Sequence, residues 1–90
     1  MSSIFKISVI TPDKAIYEGN IVSLIAPTEL GYLGVLAHHA PLVANVASGK
    51  ITIKSDLAAE PTVLDYEGAG IMEVRNNEVT IFLDNFKAKA

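Results

Sequence analysis

The chain has 90 residues, a formal net charge of -3, half of its positions hydrophobic and no cysteine. That length holds one core and leaves no room for a second folded domain, while the missing cysteine excludes disulfides, thiolate metal sites and a cysteine nucleophile. An acidic balance argues against nucleic acid. The opening Met1-Ser2-Ser3-Ile4-Phe5-Lys6 lacks a signal-peptide pattern, and no stretch reaches the ~20 apolar residues of a membrane helix.

Apolar residues recur every second position and β-branched residues are dense, which predicts an all-β domain, a sandwich or barrel of about eight to ten short strands with no long helix. Residues 4–10 alternate, with Phe5, Ile7 and Val9 on one face, and Thr11-Pro12-Asp13-Lys14 supplies the turn of a first hairpin. Residues 15–18 form a short strand that Gly19-Asn20 breaks. Residues 21–26 are the next strand, apolar enough to be buried on both faces and closed by Pro27. Residues 28–41 are the least regular stretch and read as a shaped loop. Residues 42–47 resume a strand, Ser48-Gly49 turns, and residues 50–54 alternate with Ile51 and Ile53 inward and the lysines outward, completing a hairpin with one wet face. Strands follow at 62–66 and 71–75. Asn76-Asn77 makes a two-residue turn, because asparagine tolerates positive φ, and the last strand runs from 78 to about 86. The domain therefore covers residues 1–86, and residues 87–90 form a frayed tail or the stub of a further segment.

Little in the chain suggests catalysis. His38-His39 invites a metal reading, since imidazole titrates near neutral pH, but neighbours on an extended backbone point opposite ways and zinc needs three or four ligands. A structural or interface role is the better account. Gly68-Ala69-Gly70 resembles a piece of a phosphate loop, but no strand-to-helix step and no Gly-Lys-Ser/Thr accompany it, so a bulge or a close backbone approach is expected. With no catalytic set, metal site or cofactor motif, the residues alone predict a non-enzymatic β module that binds other proteins. A mean hydropathy of +0.37 fits apolar surface reserved for such partners.

The segment Ala26-Pro27-Thr28-Glu29-Leu30-Gly31-Tyr32-Leu33-Gly34-Val35-Leu36-Ala37-His38-His39-Ala40-Pro41-Leu42 resembles the "PT-x-x-G-x-LG-(I/V)-L-x-x-HAPL" signature of the epsilon subunit of F-type ATP synthases. Other landmarks are similar and in the same order: Val9-Ile10-Thr11-Pro12-Asp13, Ile16-Tyr17-Glu18-Gly19, Ser48-Gly49-Lys50-Ile51-Thr52-Ile53, Gly68-Ala69-Gly70-Ile71-Met72-Glu73-Val74 and Asn77-Glu78-Val79-Thr80-Ile81. The segment departs from the family pattern at two places. Ala37-His38 stands where relatives commonly carry Pro-Gly, and Tyr32 stands where an acidic residue is frequent, so an aromatic contact could replace a polar one there.

The resemblance implies a flattened β-sandwich in the central stalk, held to the gamma subunit and resting on the ring of c subunits, with the catalytic head reached only indirectly. Such a rotor subunit couples proton flow to ATP synthesis without catalysing it and needs no cofactor. It also implies a ring-contact loop carried by Glu29, Gly31, Tyr32, Gly34, His38, His39 and Pro41. The implied location is the cytoplasmic face of a bacterial inner membrane, or a thylakoid membrane in a plastid, with membrane contact only through the complex. The family continues into a helical hairpin that brakes ATP hydrolysis, where this sequence stops at Ala90, so either a naturally short member or a cut chain is expected. The alternative is a free-standing β-sandwich that binds a ligand or protein.

Overall fold

A computed structural model describes residues 3–85. Nine strands follow in chain order: β1 (Phe5–Ile10), β2 (Ala15–Ile21), β3 (Ser23–Thr28), β4 (Gly31–Val35), β5 (Leu42–Val46), β6 (Gly49–Lys54), β7 (Thr62–Tyr66), β8 (Gly70–Arg75) and β9 (Glu78–Leu83). Hydrogen bonding orders them β2-β1-β9-β8-β5-β3-β6-β7, with β4 attached to β3 outside that path. Only one pair, Thr28 opposite Val46, joins β5 to β3. The sheet therefore has two well-paired halves, β2-β1-β9-β8-β5 and β4-β3-β6-β7, hinged at that corner. The all-β reading holds.

Period-two alternation builds the core. Phe5, Ile7 and Val9 of β1 turn inward beside Val79 and Ile81 of β9, and Met72, Val74, Leu24, Ile51 and Ile53 close the interior. Ten core side chains have no exposed surface, and each buried Ile or Leu stabilises the fold by roughly 1.5–3 kcal/mol relative to exposure. Among the described residues no charged side chain is buried. The β1–β9 pairing is parallel, with Ile7 opposite Val79 and Val9 opposite Ile81, so the two ends of the domain share a ladder.

Several sequence expectations are corrected by pairing that no local pattern reveals. β2 runs through Gly19-Asn20, because these residues sit opposite Ile7 and Lys6 and the ladder outweighs their weak strand preference. Pro27 lies inside β3 rather than after it. Its missing N–H falls where β3 leaves β6 for β5, and its carbonyl accepts from Ala47 N at 2.9 Å. β3 is not buried on both faces, since Ile25 is 45% exposed. The supposed loop at 28–41 contains β4, a full strand in a hairpin with β3. β5 and β6 are not a hairpin: β5 pairs with β8, and β6 with β3 and β7, so Ala47-Ser48 turns the corner between the two halves. β9 ends at Leu83 and does not continue through Asp84 and Asn85 as expected, while residue 86 and the tail at 87–90 lie outside the described residues.

Candidate interaction surface

The residues expected to form one contact loop fall into two clusters at opposite ends of β4, separated by roughly 13 Å of extended chain. At one end is the β3–β4 tip. Thr28 shapes it: its hydroxyl donates to the Gly31 carbonyl at 2.6 Å and accepts from Leu30 N at 3.2 Å, while Gly31 takes the positive φ of 114° that the reversal needs. Glu29 and a wholly exposed Leu30 stand at the apex, and Glu29 N donates to the Asn45 carbonyl. Tyr32 follows, 63% exposed, with its hydroxyl accepting from Lys50 N at 3.2 Å. The aromatic at this position thus has a structural bond as well as an open face. Gly34 lies further along β4, exposed, with open space where a Cβ would stand.

His38, His39 and Pro41 occupy the other end. His38 adopts a φ of 63°, and its backbone N donates to Asn77 Oδ1 at 2.7 Å. His39 N donates to the Leu36 carbonyl, closing a turn, and His39 Nδ1 lies 2.7 Å from the Ala40 carbonyl. The two imidazoles meet no carboxylate cluster: among the described residues, no group of three or more His, Asp or Glu could hold a metal.

In the sequence Asn77 reads as a turn residue and as the start of a family landmark, not as a tertiary tie. Asn76 and Asn77 do take φ values of 51° and 60°, as the hairpin turn requires. The Asn77 side chain also donates to the Ile4 carbonyl at 3.0 Å, so one amide ties the start of β1, the turn at 36–39 and the β8–β9 tip together. Sequence separations of 39 and 73 residues hide such a contact from any local pattern.

A groove of about 530 Å³ opens beside the tip, floored by Val46, Ile71, Phe82 and Leu83, with Glu29 and Asp84 at its rim. Two of its lining residues, Ala69 and Asp84, are held by Tyr66, whose hydroxyl donates into the Asp84 carboxylate and lies 2.6 Å from the Ala69 carbonyl. Burial, and then the Asp84 bond, push the Tyr66 phenol up to about 12, and the same bond holds the Asp84 carboxyl below its usual range. The glycines of Gly68-Ala69-Gly70 serve close approach, as expected. A Cβ on Gly68 would lie 2.7 Å from the Tyr66 hydroxyl, and one on Gly70 only 2.6 Å from the Phe82 carbonyl.

The fold of this curled all-β sheet has counterparts among chains of solved ATP synthase structures. A chain of the Euglena gracilis mitochondrial ATP synthase OSCP/F1/c-ring assembly superposes with a TM-score of 0.85 at 18% identity, covering 98% of this chain and 55% of that one. A chain of the Tetrahymena thermophila mitochondrial central stalk and c-ring gives 0.74 at 17% identity, over 92% of this chain and 65% of that one. Residues 4–89 match the family model for the β-sandwich domain of the ATP synthase delta/epsilon chain, and the chain belongs to that family. Among curated relatives, the ATP synthase epsilon chain of Dichelobacter nodosus is 38% identical over 85 residues and that of Leptospira interrogans 40% over 80. These matches take in 93% and 89% of this chain but 57% and 61% of the relatives, so the chain spans about three fifths of their length.

Proposed function

We propose that this chain is the sandwich domain of a central-stalk subunit of an F-type ATP synthase, a non-catalytic part that ties the gamma subunit to the ring of c subunits. The observation that carries the reading is the family match over residues 4–89. The exposed tip with Glu29, Gly31 and Tyr32 is the ring-facing element in this proposal, because it offers a carboxylate, a wholly exposed Leu30 and an open aromatic ring side by side. His38, His39 and Pro41 stand at the far end of β4, where the backbone bond to Asn77 gives them a positioning role; any contact they make with the ring is a second, separate one. The domain works as a mechanical link, passing rotation between ring and head, and sits peripherally on the cytoplasmic face of a bacterial inner membrane, or on a thylakoid membrane. No step of its work calls for a cofactor.

Size-exclusion co-elution tests this. The chain is mixed with a gamma-containing catalytic sector stripped of its own epsilon, with and without the c-ring, using Tyr32→Ala beside the wild type. The expected result is a one-to-one complex in both chains without the ring, and weaker retention of Tyr32→Ala when the ring is present. Absence of any complex with the wild type would refute the rotor reading.

A further inference from the structure

The order of the sheet leaves three strands with one unpaired edge: β2, β7 and β4. Two of them carry the usual protection against a stray strand. β2 contains Glu18 and Gly19 and meets β1 with a register shift between Val9 and Ile10, while β7 follows Pro61, contains Asp65 and is bracketed by Glu60 and Glu67. β4 carries none. Its five residues, Gly31-Tyr32-Leu33-Gly34-Val35, hold no charge, proline or bulge, and their register with β3 is unbroken.

Which backbone groups face outward follows from Pro27. Tyr32 lies opposite Pro27, which has no N–H, and the Pro27 carbonyl is turned away from β4 to accept from Ala47 N. Antiparallel ladders alternate between pairs that exchange both hydrogen bonds and pairs that exchange none. Tyr32 and, two residues on, Gly34 therefore belong to the non-bonded pairs toward β3, and their N–H and C=O groups point to the free edge. Leu33 is only half-buried although its side chain packs on the core, because no strand lies beyond β4 to cover it. Exposed Ile25 and Leu36 flank the edge on the outer face.

We propose that the free edge of β4 is a strand-addition site, and that its occupant is an extended segment of the adjacent stalk subunit with apolar side chains at alternate positions. The backbone pattern selects the occupant. Outward donors and acceptors at Tyr32 and Gly34 are satisfied together only by another extended main chain, and the side chains on the inner face of that strand would complete the cover over Leu33. A helix offers neither. This inference rests on the rotor reading above for the identity of the partner.

Gly34 allows a clean test. Its amide points to the edge, and a Cβ there meets nothing within 4 Å, so Gly34→Pro removes one outward donor and blocks the edge while leaving the bonds to β3 in place; Gly34→Ala adds the same Cβ and keeps the donor. Binding of wild type and both variants to the epsilon-stripped, gamma-containing sector is measured by surface plasmon resonance, with far-UV circular dichroism as the check on folding. The expected outcome is a loss of at least tenfold in affinity for Gly34→Pro and none beyond twofold for Gly34→Ala. Wild-type affinity in a folded Gly34→Pro chain overturns the edge proposal alone, whereas no binding by the wild type overturns the rotor reading and this inference with it. Should Gly34→Pro fail to fold, hydrogen exchange on the wild type decides: the Tyr32 and Gly34 amides must slow on complex formation, and unchanged exchange refutes strand addition. A wild-type chain that sediments as a dimer and returns to monomer with Gly34→Pro gives the edge to a second copy and refutes the partner named.

Discussion

Gly70→Ala is the sharpest test of how tightly β8 is packed between β5 and β9. Gly70 lies between Val46 of β5 and Leu83 of β9, and an added Cβ would stand 2.6 Å from the Phe82 carbonyl and 2.9 Å from Leu83 Cδ2. The leucine methyl can rotate away. The carbonyl belongs to the β8–β9 region of the ladder, so ordinary contact near 3.4 Å requires a backbone shift of roughly 0.8 Å. Overpacking of this kind costs about 1–3 kcal/mol, and the stiffer unfolded chain of an alanine variant returns about 0.4–1 kcal/mol. The net expectation is a loss of about 1–2 kcal/mol, equivalent to a fall in Tm on the order of 5–15 °C for a domain of this size. Gly34→Ala is the matched control, since its Cβ enters open space, and it should stay within about 0.5 kcal/mol of wild type. Urea unfolding at 25 °C, followed by far-UV circular dichroism with m-values compared, reads both. A Gly70→Ala chain within about 0.5 kcal/mol of wild type would show that the β8–β9 approach relaxes freely and would refute the packing argument.

Two further outcomes follow from named contacts. Asn77→Ala removes the acceptor for His38 N and the donor to the Ile4 carbonyl and places a Cβ-bearing residue without a local hydrogen bond at φ 60°, so a loss of about 2 kcal/mol is expected; Asn77→Gly, which accepts that φ, should lose about half as much, and equal losses in calorimetry would argue against the backbone part of the account. For Tyr66 the folded phenol is raised from 10.0 to about 12, so its share of stability is complete below pH 10 and disappears as pH climbs toward 12. Asp84 is lowered from 3.8, so its share is present above that value and is lost on further acidification. Tyr66→Phe should therefore cost about 1 kcal/mol near neutral pH and flatten the stability profile at both extremes; an unchanged profile across pH 3–11 in chemical melts would remove the Tyr66–Asp84 bond from the energetics.

The sequence by itself determined the class of fold and much of its periodic detail. Alternation placed Phe5, Ile7, Val9, Ile51 and Ile53 inward, because a strand's side chains have a period of two whatever its neighbours are. The Asn76-Asn77 turn was legible for a similar local reason, a backbone conformation that few residues tolerate. The family signature around residues 26–42 was visible as a string of letters, yet it did not disclose that its two ends lie at opposite ends of a strand. Tertiary structure alone decided that β4 exists within the apparent loop, that Gly19-Asn20 is bridged by the β1 ladder, and that β5 and β6 part company at Ala47-Ser48. The same holds for the two side-chain ties, Asn77 to Ile4 and His38, and Tyr66 to Asp84. Each depends on which strand lies beside which, and that choice is made by long-range burial and hydrogen-bond completion, which no window of neighbouring residues records.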